Sequence, residues 1–299
     1  MIKYNFIIIT SELIKSIAIQ LSHLLNNLNY KTEIKYLLSD EDINNPVNSY
    51  TKYIIIFNNR IDFKFPKKYI LYQIEQSNYY VKNNHINQKE LFNSAEYIWD
   101  FSIKNFNIYN KFIESSKIFY FPMPFYCKNI INKEFNKKEY EYEYDIFFYG
   151  SENERRRNIL NKLSKKYKIK NEFIIFDNER DKYIQSSKII LNLHYYDDAA
   201  LETCRFNEIL QFNTPIISET SNNDEYNKYI YKEYITFVDC IKDDLSNIDI
   251  LYSAIDILLN NKLYITKRNK IKKNKSKLTA ISEYFLKKNL LQIIKPINI

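Results

Sequence analysis

One glycine in 299 residues is the feature that most narrows what this chain can be. The phosphate-cradling P-loop, the GxGxxG turn of dinucleotide-binding sheets and the GxSxG nucleophile elbow each need at least two glycines, so all three are excluded. No HExxH motif occurs either. Tight turns must then be made by the next most tolerant residue at positive φ, which is Asn. The lone glycine, Gly150, closes a strand-like run in "FFYGSENERRR". In a chain that does without glycine elsewhere, it is expected where no side chain is tolerated. Close approach of a phosphate or sugar to the backbone, just before a helix N-terminus, would demand this. A plain turn is the competing reading.

Apolar residues make up 45% of the chain, enough for full-sized cores in one large or two medium domains. The abundance of Tyr, Phe, Asn, Ile and Lys reads as an AT-rich genome, viral or bacterial, rather than a structural class. The net charge of +8 invites a nucleic-acid reading. Lysines are diffuse and interleaved with acids, however, and only 262–277 is a basic run, so a nucleic-acid partner is not expected. Cys127, Cys204 and Cys240 are widely spaced, odd in number and without metal spacing to His, which fits a reducing compartment. The apolar run near the N-terminus is too short for a signal or membrane span. A cytoplasmic protein is expected (host cytoplasm if viral), with peripheral membrane attachment left open.

Apolar runs at 4–9, 32–38, 52–57 and 68–74 read as strands, 88–99 as a helix, and 117–126 as a strand with two prolines. After a charged, aromatic stretch at 127–143, read as a linker, the pattern restarts. Strands are expected at 144–150, 172–177, 188–194, 214–218 and 235–239, with helices at 152–167, 179–187, from about 200, and at 246–260. The tail, 276–295, is amphipathic and helical, with Leu278, Ile281, Phe285, Leu286 and Leu290 on one face. Strands alternating with helices predict parallel sheets. The expectation is α/β with two Rossmann-like domains facing a central cleft. Residues 1–126 form the first, 144–275 the second, and 276–299 cross back to the first. Ligands of such sheets bind at the carboxyl ends of the strands.

The densest cluster of candidates is "NLHYYDDAALETCRFNEIL", 192–210. A strand ends near His194, a loop carries Asp197 and Asp198, and a helix brings Glu202, Arg205 and Glu208. Its first turn and positive dipole end suit an anion, and Arg205 adds a bidentate phosphate donor. A carboxylate accepting two vicinal hydroxyls is a common way to hold ribose. Together these outline a nucleoside diphosphate site. The plainer alternative is a helix face carrying Glu202–Arg205 and Arg205–Glu208 ion pairs. His194 is either structural or touches a transferred sugar. The aspartates only loosely resemble a metal-binding DxD, and loop solvation is the other reading. Of Arg155, Arg156 and Arg157, no more than two can face the ligand.

"YDIFFYGSENERRRNIL", "NLHYYDDAALETCRFNEIL" and "TPIISETS", with "YILYQIEQ" and "IWDFSIKN" upstream, resemble glycosyltransferases of the GT-B fold, nearest the CgeB-like, group-1-type branch of bacteria and large DNA viruses. The resemblance covers roughly 50–225. It implies a nucleotide-sugar donor in the C-terminal domain, a saccharide, protein or lipid-linked acceptor on the N-terminal domain, and no metal or other cofactor. Glu208 matches the second glutamate of the E-x7-E pattern of retaining members. The first falls at Ala200 and is absent, with Glu202 and Arg205 of "ETCR" in its place, so the stereochemistry is left open. The donor-binding set is Gly150, Ser151, Arg155, Asp177, Glu202, Thr203, Arg205 and Glu208. The catalytic candidates are His194, Asp198 and Glu75. Gln76, Asp100 and Ser102 match positions at the edge of the acceptor domain. The alternatives are an inactive nucleotide-sugar-binding scaffold and, less favoured, a polyanion-binding α/β protein.

Overall fold

The computed structural model describes residues 5–36, 51–57, 66, 68–76, 86–109, 113–127, 142–196 and 199–294. The chain divides into two compact units, Met1–Tyr126 with Lys277–Ile299, and Cys127–Ser276.

The first unit is built on a six-stranded sheet in the order β2-β1-β3-β4-β5-β6, every neighbouring pair parallel. Its strands are β1 (Asn5–Ile9), β2 (Lys31–Lys35), β3 (Thr51–Phe57), β4 (Ile70–Gln73), β5 (Tyr97–Asp100) and β6 (Ile118–Tyr120). Helix α1 (Lys15–Asn27) links β1 to β2, and α2 (Ile86–Ser94) precedes β5. Ile54, Ile55, Ile56, Leu71 and Tyr72 are fully buried, as central parallel strands covered on both faces require. The helix expected through residue 99 stops at Ser94. Ile98 and Trp99 instead pair with Leu71 and Tyr72 in the sheet, where both are fully buried. Sheet burial of β-branched and aromatic side chains outweighs the helical spacing there.

The second unit holds a five-stranded parallel sheet in the order β11-β10-β9-β7-β8. The strands are β7 (Tyr144–Tyr149), β8 (Ile169–Glu172), β9 (Ser187–Asn192), β10 (Ile216–Glu219) and β11 (Ile235–Val238). After the short α3 (Phe106–Tyr109) of the first unit, the helices continue as α4 (Glu154–Leu163), α5 (Asp177–Ser186), α6 (Thr203–Gln211), α7 (Glu225–Tyr231), α8 (Asp249–Leu259) and α9 (Leu263–Asn274). The strand expected at 172–177 is displaced. β8 ends at Glu172, and Ile174 and Phe176 beyond it are 82% and 55% exposed. β8 lies at the sheet edge with β7 as its neighbour, and the ladder runs out where β7 ends: Gly150 N–H donates to Glu172 O as the last rung. Helix α9 runs through the basic stretch and turns part of it inward. Arg268 donates to Ser187 O and Thr214 Oγ1, and Lys275 to Gln211 O.

Asn takes over turns as expected. Among the described residues, Asn29, Asn213 and Asn223 have φ of 65, 60 and 59°, joined by Leu245 and Lys262. The tail helix α10 (Ser276–Ile293) belongs to the first unit, as its apolar stripe predicts. Leu278, Leu286, Leu290 and Ile293 are buried. Ser282 Oγ accepts from Phe125 N at 3.0 Å, and Asn289 Nδ2 donates to Tyr120 O at 3.2 Å.

Candidate functional site

In the second sheet the strand order reverses between β7 and β9, and ligands of open parallel sheets bind outside the carboxyl ends at such a switch point. Gly150 follows β7 there, with φ of +136°. A Cβ on it would lie 2.8 Å from Arg205 Nη2 and 3.5 Å from Arg156 Nη1. A side chain here would be strained by the positive φ and would displace the Arg205 guanidinium.

Arg205 is held from three sides. Nη1 donates to Asn192 Oδ1 at 2.6 Å and lies 2.6 Å from Glu202 Oε2, while its plane sits over the Tyr149 ring, 5.0 Å from the centroid. Glu202 also pairs with Arg156, at 3.3 Å. Burial alone would push the Glu202 carboxyl up, but Arg205 and Arg156 hold it below the usual glutamate range. Arg156 is 1% exposed. It donates to Leu193 O and Ser151 O and stacks between Phe148 and Tyr195. Burial pulls its pKa down to about 10, which leaves it charged at neutral pH. One carboxylate thus sits between two guanidinium groups. The helix starts later than its expected origin near Ala200. Ala199–Leu201 are buried and held by Asp224, which accepts from Leu201 N, and by Ser221, which donates to Ala199 O. α6 therefore begins at Thr203, whose Oγ1 is buried without a partner among the described residues.

A second ion pair ties the surrounding loops together. Glu219, fully buried at the end of β10, accepts from both terminal nitrogens of Arg155, from His194 N and from Ile241 N. Arg155 also donates to His194 O and Ile241 O, so the loops after β9, β10 and β11 share one clamp. His194 is 2% exposed. Its Nε2 lies 3.1 Å from Thr220 O; a carbonyl only accepts, so Nε2 carries a proton, while Nδ1 is buried and unpartnered among the described residues. Asn153 caps α4, accepting from Arg156 N, and its amide donates to Tyr195 O. Arg157 is the exposed member of the arginine triplet, paired with Glu152.

Glu208 pairs with Arg180 of α5 at 3.1 Å rather than with Arg205. The Glu202–Arg205 half of the expected helix-face pairing is present, and the Arg205–Glu208 half is replaced. Ser151 is exposed, and its carbonyl serves Arg156. Asp177 opens α5, but its side chain lies outside the described residues, as do Asp197 and Asp198. Glu75 belongs to the other unit, after β4. Its backbone is clasped by Gln73 and Asn105, whose amides donate to Glu75 O at 3.1 and 3.2 Å. Sequence reasoning missed Glu219, Arg180, Asn192 and Tyr149. Glu219 left a trace, an acid closing the apolar run "TPIIS". Among the described residues, no group of three or more His, Cys, Asp and Glu side chains could hold a metal ion, and no helix is long and apolar enough to cross a membrane.

No family model matches the chain. A curated relative, an uncharacterized protein of Acanthamoeba polyphaga mimivirus, is 36% identical over 124 residues, 38% of this chain and 44% of that protein, so the match spans less than half of its length. Among solved structures, WaaG, a glycosyltransferase involved in lipopolysaccharide biosynthesis, is similar with a TM-score of 0.53 and 12% identity, over 97% of this chain and 100% of that one. An α1,3-fucosyltransferase with GDP reaches 0.45 at 14% identity over 89% and 82%. A putative UDP-N-acetylglucosamine 2-epimerase from Listeria monocytogenes reaches 0.45 at 9% identity over 91% and 91%. Two parallel sheets with interleaved helices, and a likeness to WaaG over nearly the whole chain, identify an α/β protein of the GT-B fold.

Proposed function

We propose that the chain is a glycosyltransferase of the CgeB-like branch, moving a sugar from a nucleoside diphosphate donor held by the second unit to a saccharide, protein or lipid-linked acceptor on the first. The observation that carries this reading is the Arg205 guanidinium, fixed by Asn192, Glu202 and the Tyr149 ring over the one glycine at the switch point. A pre-oriented arginine beside a helix N-terminus suits a diphosphate, binding it and stabilising the charge that grows on it as the sugar leaves. Glu202 keeps Arg205 and Arg156 in place, and Thr203 and Ser151 line the same end. Arg155 acts through the loops it clamps. Glu208 takes the ribose hydroxyls, and Asp177 completes the donor set.

His194 Nδ1 is suited to a sugar hydroxyl, and Asp198 and Glu75 are the acid–base candidates. Arginine and helix dipole stand in for a cation, so the reaction needs no metal. The GT-B fold supports the glycosyltransferase reading.

A thermal-shift screen against UDP-, GDP-, CMP- and dTDP-sugars tests the donor. A true donor at a hundred times its Kd raises stability by about 2.7 kcal/mol, and no shift with any of them removes the reading. Turnover of the stabilising donor should then survive EDTA. Loss restored by Mn²⁺ or Mg²⁺ would move Asp197 and Asp198 to a metal site. Binding without hydrolysis or transfer would instead mark a scaffold.

A further inference from the structure

Winding the basic run into α9 divides its cations into two sets. Arg268 and Lys275 turn inward to the backbone, and Tyr264 and Ile271 are buried, so this side fastens the helix. Lys262, Lys270, Lys272 and Lys273 are exposed, and none of the four meets an acidic side chain among the described residues. The sequence holds no acid between Asp256 and Glu283, so pairing along the helix cannot neutralise them. Their charge is felt within the helix itself. Burial, and after it the Lys270 charge, pushes the Lys267 pKa down. Burial is the larger cause at Lys275 too, with Lys272 adding to it.

Helix stability does not ask for this arrangement. Lys272 and Lys273, in the last turn, complement the negative end of the helix dipole, but Lys262 stands at the N-cap, against the positive end. No acid occupies the first turn to offset it. Leu263 and Ile265, next to Lys262, are 40% and 39% exposed. The outer surface of α9 thus joins four ammonium groups to two aliphatic side chains. An anionic bilayer meets both, with charged headgroups above an apolar layer. Nucleic acid offers the charge but rewards aromatic stacking, and the one aromatic of α9, Tyr264, is buried.

We propose that α9 is a docking face for an anionic lipid bilayer, with Lys262, Lys270, Lys272 and Lys273 at the headgroups and Leu263 and Ile265 dipping below them. Charge attraction brings the face down, and the aliphatic pair keeps it there when salt screens the charge. The helix is fastened near the amino ends of β9 and β10, whereas Arg205 reaches Asn192 at the carboxyl end of β9. A bilayer and a nucleotide therefore do not compete.

Flotation of the full chain with vesicles of phosphatidylcholine alone, or of equimolar phosphatidylcholine and phosphatidylserine, tests this. The wild type should bind the mixed vesicles about tenfold tighter or more. Lys270→Gln, Lys272→Gln and Lys273→Gln together should weaken that binding by about a hundredfold, about fivefold for each lysine. Arginine at the same three positions should bind like the wild type. Leu263→Ser with Ile265→Ser should cost about tenfold, most visibly at high salt. All five side chains are exposed, so melting curves should match the wild type. Nucleotide binding in solution should also be unchanged, so the donor-site reading is tested separately. A wild type that floats with neither vesicle, or equally with both, overturns the proposal. So does a glutamine variant that floats like the wild type. An equal loss of duplex DNA binding in the glutamine variant, with the serine pair without effect on vesicles, would mark a general polyanion face and overturn the lipid assignment.

Discussion

The carboxyl ends of the two sheets are built on the same parallel scaffold but stabilised by different chemistry. In the first unit Gln73, Asp100, Ser102 and Asn105 are 0–1% exposed and form a hydrogen-bonded knot. Asp100 Oδ1 accepts from Ser102 N and Asn105 Nδ2, and the amides of Gln73 and Asn105 clasp Glu75 O. In the second unit the corresponding end is held by ion pairs: Arg155–Glu219, Arg156–Glu202–Arg205 and Arg180–Glu208. Amide knots fix the shape of a loop through many weak, directional contacts. Buried ion pairs fix it through a few contacts that are costly to break, and here they hold the Arg205 guanidinium at the switch point. An end that fixes several guanidinium groups suits an anion, whereas a knot of amides and hydroxyls around the Asp100 carboxylate presents shape and hydrogen bonds.

Removing a fully buried charge from each end should break this contrast open. Glu219→Ala leaves Arg155 with backbone carbonyls and the exposed Asp243, 3.5 Å away, and should cost about 3–5 kcal/mol of unfolding free energy in urea titrations. Asp100→Asn, the matching change in the first unit, should cost about 1–3 kcal/mol and leave nucleotide binding untouched. Equal costs would mean that the two ends do not differ in kind. Arg205→Ala should weaken nucleoside diphosphate binding by about 1.5–3 kcal/mol in calorimetry. It should also lower the melting temperature moderately, since Glu202 loses a partner. Normal binding with a large drop in melting temperature would make Arg205 a purely structural ion pair.

Gly150→Ala should cost about 1–3 kcal/mol through its positive φ, and it should reduce nucleotide affinity because Arg205 must shift. In an Arg205→Ala background the steric part of that cost should vanish, so the two changes should be non-additive. The smallest effect is expected far from either end. Lys262, at φ of 55° ahead of α9, should gain about 0.5–1 kcal/mol when replaced by glycine.

Local patterns were legible where burial alone decides. The central strands of both sheets, the apolar stripe of α10 and the Asn turns at 29, 213 and 223 each follow from neighbouring residues. β8 was misread because an edge strand ends where its partner ends, and nothing in "EFIIFD" records that β7 stops at Tyr149. Gly150 was legible as a site of exclusion, but not the excluding group, which arrives from Arg205, far along the chain. Arg180 and Glu208 are 28 residues apart, and Arg155 and Glu219 are 64 apart; no local spacing foretells either pair.

Alternation and periodicity in the sequence alone determined two parallel-sheet units, a returning helix and a charged cluster after β9. The lone glycine also ruled out three nucleotide- and acyl-handling motifs. Only the tertiary structure decided what each charge does, and the consecutive arginines make the reason plain. Successive residues on a helix point about 100° apart. Arg155 therefore meets Glu219, Arg156 is buried between aromatic rings and Glu202, and Arg157 meets water and Glu152. A guanidinium's role follows from what desolvates it and which carboxylate faces it, and both are supplied by segments distant in the chain.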